Sequence, residues 1–348
     1  MRDPGERLGA AVVGAGFFGQ VHAQVWASLP GVDLRAVVDN DRERAEATAK
    51  RHGAAAYSDL REILGSDDID LVSIVTPEPM HREPAIMAAE AGKHILLEKP
   101  IATSVADGQA IVAAARAAGV KLAVGFESRF ALGYVQIKQA IDGGSLGEVT
   151  YVYAKRRGDR GFADLKAGRV TPILEIAIHD IDLFLWYTGF PKIVEASCVS
   201  VRKDVYQKWG QPDWQIVTLI TEGGAVAVLD CGWALPYRWA GWKQPQSWHP
   251  YADVRMEVMG TSGAVYADLH PMLVRGCDES EGWKYPDLVY WPDVGGVTGG
   301  AIRAELESFA RCIVQDEEPL VTGEQALLSL EVAEMALRSY ELGEPVRS

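Results

Sequence analysis

Between residues 8 and 124 short apolar runs alternate with polar stretches of helical periodicity. The runs 8–13 (LGAAVV), 34–38 (LRAVV), 71–75 (LVSIV), 94–97 (HILL) and 122–124 (LAV) are near-continuous rather than alternating. That is the pattern of strands covered on both sheet faces. Helix-like segments fill the gaps, among them 58–64, with Ser58 placed as a cap, and the alanine-rich 104–118, begun by Ser104 and closed by Gly119. Strand, helix, strand in succession predicts an α/β domain built on a doubly wound parallel sheet.

After Gly125 the pattern changes. The runs EVTYVYAK, WQIVTLITEGGAVAVLDCGW and VRMEVMGTSGAVYADL alternate apolar with polar positions, with tight turns at Glu222-Gly223-Gly224 and Thr261-Ser262-Gly263. They predict a mostly antiparallel sheet with one face solvated or packed on a partner. Helical stretches fall at 135–141, 172–187, 302–313 and 324–342. The chain of 348 residues is too long for one ordinary core, so two domains are expected, 1–125 and 126–348.

Charge and cysteine usage narrow the class. A net charge of −14 disfavours nucleic acid and anionic membrane surfaces, and Lys155-Arg156-Arg157 is too short a cluster to reverse that. No apolar run has membrane-spanning length. The run 8–19 carries four glycines and no convincing cleavage site comes after it, so a secretory leader is not expected. Cys198, Cys231, Cys277 and Cys312 lie far apart, without the close pairs of a zinc or redox site, which fits a reducing cytoplasm.

The first strand runs directly into Gly14-Ala15-Gly16-Phe17-Phe18-Gly19, and a helical segment comes next. Glycines at these positions allow a tight turn, close approach of a diphosphate and close helix packing, with the anion at the helix's positive end. The second strand ends at Asp39, about 20 residues past the last glycine, where a carboxylate binds a ribose diol. A carboxylate there repels a 2′-phosphate, and Asn40 is small and neutral, so NAD is expected over NADP, although Arg42 and Arg44 stand nearby. Ligands of such sheets bind at the strands' carboxyl edge. That edge receives Thr76 and His81, from VTPEPMH, and Glu98 and Lys99, from EKP; capping of the next helix accounts equally for Thr76 and His81.

A second cluster lies in TPILEIAIHDIDLFLWYTG. Glu175, His179 and Asp182 share one face of an otherwise apolar helix, where unpaired burial would be costly. From this segment alone a helix-stabilising Glu-His pair on the surface is favoured slightly over a reaction centre, and Asp180 reads as a solvent-facing charge. No further ligand stands at suitable spacing, so no metal is expected.

Taken together, VVGAGFFGQVHA, VSIVTPEPMH, AAEAGKHILLEKPIATS, VGFESRF, GGSLGEV, EIAIHDIDLFLW, MEVMGTSGAV and EEPLVTGEQALLSLEVAEMALRS carry a resemblance over nearly the whole length. The chain resembles the glucose-fructose oxidoreductase / inositol dehydrogenase / MocA family of NAD(P)-dependent sugar and cyclitol oxidoreductases. The resemblance implies a Rossmann domain followed by an α+β domain with a large open sheet. It implies that Lys99 and His179 are catalytic, with Glu175 beside them, and that the Lys99-Pro100 bond is cis. It also implies cofactor contacts from Gly14, Gly16, Phe17, Phe18, Gly19, Asp39, Asn40, Thr76, Pro77, His81, Glu98 and Lys99. Polyol contacts are implied for Lys99, Arg129, Arg157, Glu175, His179 and Tyr237. The family usually has an aspartate where this chain has Glu175, and one added methylene can displace the carboxylate by about 1 Å, so substrate preference is expected to differ.

The expected reaction is hydride transfer from a secondary alcohol of a cyclic polyol or sugar to NAD, with neutral His179 as base, charged Lys99 stabilising the alkoxide and Glu175 orienting His179 or accepting a substrate hydroxyl. Two alternatives stay open: an NAD-retaining glycosidase or lyase-like enzyme, and a non-enzymatic NAD-dependent sensor. The family pairs its open sheets, so a homodimer or homotetramer through the C-terminal sheet is implied. The segment 233–251 holds four tryptophans and His249, which suit a carbohydrate site or an oligomer interface.

Overall fold

The computed structural model describes residues 7–237, 251–270, 276–278, 282–284 and 288–348. The chain forms two compact units, residues 1–130 with 290–327, and residues 131–289 with 328–348. A single cut at 125 therefore misses the return of 290–327 to the first unit. That return is fixed by long-range pairing: Val124 N donates to Val321 O and Ala123 bridges to Thr322. No local pattern encodes such a partner.

In the first unit the elements run in the order β1 (Leu8–Val13), α1 (Phe17–Ser28), β2 (Val32–Val38), α2 (Arg42–His52), β3 (Ala55–Tyr57), α3 (Arg61–Leu64), β4 (Leu71–Ile74), α4 (Arg82–Glu90), β5 (His94–Glu98), α5 (Val105–Ala118) and β6 (Leu122–Gly125). The six strands are parallel in the order β3-β2-β1-β4-β5-β6, so the order reverses between β1 and β4. Such a switch point is where open α/β sheets bind ligands. Every residue of β1 and β4 is buried, which explains their continuous apolar runs. Trp26 of α1 is fully buried in a core shared with Ile302, Leu306 and Phe309 of helix Gly300–Gln315. Each such side chain contributes roughly 1.5–3 kcal/mol by burial.

The cap assignments divide. Ser104 accepts from Asp107 N at 3.2 Å and Gly119 closes α5 at φ +66°, both as the pattern implies. Ser58 does not cap α3. Instead Asp59 accepts from Arg61 N at 2.9 Å, and Glu62 reaches back to Ser58 N and Asp59 N. The three-residue edge strand β3 escaped the pattern because none of its residues is buried.

The second unit contains α6 (Leu132–Asp142), β7 (Val149–Asp159), α7 (Arg160–Lys166), α8 (Ile178–Thr188), β8 (Ile193–Val201), α9 (Asp204–Trp209), β9 (Trp214–Thr221), β10 (Val226–Leu235), β11 (Tyr251–Gly260) and β12 (Ala264–His270). Its sheet runs β12-β11-β7-β10-β9-β8 and ends on the short strand Val346–Arg347. All pairs are antiparallel except β7 with β10. Both expected hairpin turns are present, with Gly224 at φ +85° and Gly260 N bonded to Gly263 O. Val199, Val201, Ile216 and Tyr266 leave large apolar groups exposed on four positions of these strands.

Candidate active site

In the first unit, three glycines shape the turn after β1. A Cβ on Gly19 would lie 1.7 Å from Gly14 O, and one on Gly14, which has φ +95°, would lie 2.6 Å from Val75 O. These positions are closed by backbone, so only glycine fits them. A Cβ on Gly16 would meet nothing within 4 Å, so the loop is open there, at the N-cap of α1. This closed-open-closed arrangement fits a diphosphate approaching the helix N-terminus.

Asp39 lies just past β2, buried, with Oδ2 accepting from Ala15 N at 2.7 Å and Oδ1 from Asp41 N at 2.9 Å. The carboxylate thus holds the glycine turn as well as standing where a ribose diol is bound. Arg44 approaches it at 3.4 Å, while Asn40 is exposed. Phe17 and Phe18 are half-buried, and Trp291 packs edge-on against both, with ring centroids 6.2 and 5.3 Å away.

At the carboxyl ends of β4 and β5, Thr76 is half-buried and its hydroxyl donates to Met80 O at 3.3 Å, closing the turn; Pro77 is exposed. His81 occupies the N-cap position of α4 yet makes no capping bond. Its buried ring lies between Pro100 O, 2.9 Å from Nδ1, and Thr76 O, 3.0 Å from Nε2. Burial outweighs these two carbonyl contacts and holds its pKa below the usual 6.5. His81 therefore ties the turn after β4 to the carbonyl of Pro100, whose bond to Lys99 is cis. Lys99 comes directly after β5 and is half-buried.

Arg129, expected at the polyol, is 1% exposed and belongs to the first unit. It donates to Leu320 O at 3.0 Å and Gln325 Oε1 at 2.7 Å. These partners make it a tie between the turn 127–130 and the segment 320–325, a role that a residue type alone does not disclose.

In the second unit, the helix carrying the other cluster starts with a wide π turn, Ile173–Ala177, before α8. Such turns recur at functional sites. Glu175 is 2% and His179 1% exposed, and Asp180 and Asp182 are buried too, so neither a surface Glu-His pair nor a solvent-facing Asp180 is present. Each buried carboxylate is answered. Asp180 takes the Arg156 guanidinium, with Nη2 at 2.8 Å, and Arg156 also donates to Tyr134 Oη at 2.7 Å. Asp182 accepts from Ser329 Oγ at 3.3 Å. Glu175 Oε1 lies 3.1 Å from Lys166 Nζ, at the end of α7. Lys166 was missed because its segment carries no periodic signal and its partner lies in another element.

Arg157 does not join this cluster. Successive side chains of a strand point to opposite faces, so its neighbour Arg156 meets α8 while Arg157 faces the other way. There it pairs with Asp230 and with Asp253 at 3.4 Å, and lies over the Trp214 ring at 5.4 Å. Tyr237 is exposed and donates to Asp164 Oδ2 at 3.3 Å. Burial raises the Asp164 pKa, but bonds from Lys208, Trp209 and Tyr237 outweigh it and bring the carboxyl below its usual value. Residues 238–250, with three of the tryptophans of the aromatic segment and His249, lie outside the described residues.

Residues 8–126 match the GFO/IDH/MocA oxidoreductase family, NAD-binding Rossmann fold, and residues 134–266 match the GFO/IDH/MocA C-terminal domain. The chain belongs to the GFO/IDH/MocA oxidoreductase family. Its first unit carries the family's NAD-binding Rossmann fold, and the glycine turn and Asp39 fit that cofactor. Among curated relatives of the family, scyllo-inositol 2-dehydrogenase (NAD(+)) of Bacillus subtilis (strain 168) is 30% identical over 97% of this chain and 95% of that one. D-Glucoside 3-dehydrogenase of Escherichia coli (strain K12) is 32% identical over 64% of this chain and 66% of its own length. The crystal structure of GenD2 from gentamicin A biosynthesis, in complex with NAD, matches with a TM-score of 0.82 at 27% identity, covering 99% of this chain and 97% of that one.

Among the described residues no helix is long and apolar enough to cross a membrane.

Proposed function

We propose that this GFO/IDH/MocA protein oxidises a secondary alcohol of a cyclic polyol or sugar, inositol-like or aldose-like. Bound NAD supplies the hydride acceptor. The observation that carries this reading is the buried imidazole and carboxylate of His179 and Glu175 on one helix, in a chain whose Rossmann fold presents Lys99 at a strand's carboxyl edge.

His179 takes the hydroxyl proton on a ring nitrogen, the general-base task for which histidine is most often used. Lys99 donates to the oxygen as negative charge develops there. Glu175, held by Lys166, accepts from a neighbouring hydroxyl or orients His179, and its added length relative to an aspartate shifts the pocket toward a smaller or differently turned polyol. The relatives' names support inositols and glycosides as the compound classes to examine.

We further propose that two or four copies associate through the second unit's sheet, where Val199, Val201, Ile216 and Tyr266 are exposed. Free, buried Cys198, Cys231 and Cys312 accord with a cytoplasmic location.

The test is a panel of inositols, aldoses, glucosides and uronates scored by NADH absorbance. Turnover of a neutral polyol, abolished in Lys99→Ala and in His179→Ala with NAD binding retained, is the expected result. A His179→Ala variant with full activity overturns the assignment of the base, and consumption of a sugar without net NADH overturns simple dehydrogenation.

A further inference from the structure

One buried polar chain of the first unit runs from α1 through Glu98 to the backbone of Lys99. His22, in the middle of α1, is 1% exposed and has a partner at each ring nitrogen. Nε2 lies 3.1 Å from Glu98 Oε1, and Nδ1 lies 2.8 Å from Ser73 Oγ on β4. A carboxylate only accepts, so Nε2 carries the proton and donates to Glu98; Nδ1 then accepts from the Ser73 hydroxyl. The other Glu98 oxygen, Oε2, accepts from the backbone N–H of Lys99 at 3.2 Å.

The arrangement is confined on its remaining sides. A Cβ on Gly125 would lie 2.8 Å from Glu98 Oε1, and the Phe18 ring of the glycine turn packs against the His22 ring at 6.1 Å. Three polar groups buried in the middle of an apolar sheet and helix are costly unless all are satisfied, and here each satisfies the next. At the end of the chain stands the backbone of Lys99.

We propose that His22 and Ser73 are positioning residues for Lys99, acting through the Glu98 carboxylate. With its Oε1 fixed from α1 and β4, Glu98 presents Oε2 at one place and thereby fixes the peptide N–H from which the Lys99 side chain departs. The inference rests on the reading that Lys99 acts on the substrate.

The experiment compares His22→Leu, His22→Gln, Glu98→Gln and Lys99→Ala in the full chain. Leucine keeps the contact with Phe18 and removes both hydrogen bonds; glutamine keeps one donor and one acceptor. With the panel polyol that is turned over fastest, His22→Leu is expected to lower kcat by about 10²-fold, the effect of misplacing a reacting group by about 1 Å. NADH affinity, read by fluorescence titration, stays at the wild-type value, and His22→Gln recovers most of kcat. A purely structural role would instead lower thermal stability and NADH affinity while leaving the kcat of the folded fraction unchanged, and that result overturns the proposal.

If Lys99→Ala is inactive while His22→Leu keeps full kcat, the tie is wrong and the role of Lys99 stands. If Lys99→Ala is active, the reading of Lys99 falls, and this proposal with it. A crystal structure of His22→Leu decides independently of turnover: displacement of the Glu98 carboxylate from Lys99 N supports the tie, and an unchanged bond there refutes it.

Discussion

Replacing Lys166 by methionine removes the cation beside the most deeply buried glutamate of the proposed site and keeps the aliphatic bulk. Lys166 is 25% exposed on its side chain and Glu175 3%, with 3.1 Å between Nζ and Oε1. At an effective dielectric of about 20, that separation gives a gross attraction of about 5 kcal/mol. Desolvation of the carboxylate and the partial exposure of the ammonium offset most of it, leaving a net coupling of about 1–2 kcal/mol. A double-mutant cycle measures this directly. Guanidinium unfolding of the wild type, Lys166→Met, Glu175→Gln and the double variant is expected to show the double losing about 1–2 kcal/mol less than the sum of the singles. The same cycle in kcat/KM is expected to be non-additive, because both changes disturb one carboxylate. A coupling below about 0.5 kcal/mol, with independent effects on turnover, would refute the pairing of Lys166 with Glu175 as a functional feature.

Gly19→Ala drives a Cβ to within 1.7 Å of Gly14 O, a backbone atom that cannot move without opening the turn, so NADH affinity is expected to fall at least about tenfold, equivalent to about 1.4 kcal/mol. A titration giving the wild-type constant would contradict the glycine's assigned role. For His81, burial favours the neutral ring in the folded chain, so the unfolded chain binds more protons below pH 6.5; stability is full above that pH and declines as pH falls through the lowered value. Urea midpoints should therefore fall more steeply below pH 6.5 in the wild type than in His81→Gln, and equal slopes would refute the argument. Ile216→Glu places a charge on the exposed apolar positions of the second sheet and is expected to convert a dimer or larger species into monomer by light scattering. A wild type that is already monomeric at working concentration removes the basis for that association.

The local pattern carried a great deal of this chain. β1 was readable to the residue because both its faces are buried, and Gly14, Gly16 and Gly19 were readable because a turn of that shape excludes side chains at two of them. Ser104 and Gly119 marked α5 because capping is a matter of adjacent residues. Lys99 and Asp39 fell at strand ends for the same reason, since the end of an apolar run also places the next residue at the sheet's carboxyl edge. Ser73 left a faint signal as a lone polar residue within an apolar strand and His22 as one of several polar residues of its helix, and only the tertiary approach of the His22 ring to Ser73 and Glu98 gave that signal partners.

The amino-acid sequence by itself determined the strands, the cofactor turn and the types of reactive group. The tertiary structure decided what each group faces. Arg156 and Arg157 are neighbours of like chemistry, yet strand alternation sends one to Asp180 in the core and the other to Asp230 and Asp253 on the opposite face. Arg129 is held by Leu320 and Gln325, almost two hundred positions along the chain, and Lys166 reaches Glu175 from a separate helix. Hydrophobic periodicity reports which side of an element is buried, a property of neighbours in the chain. The partner of a buried charge is chosen by how whole elements pack, and that choice exists only once the chain has folded.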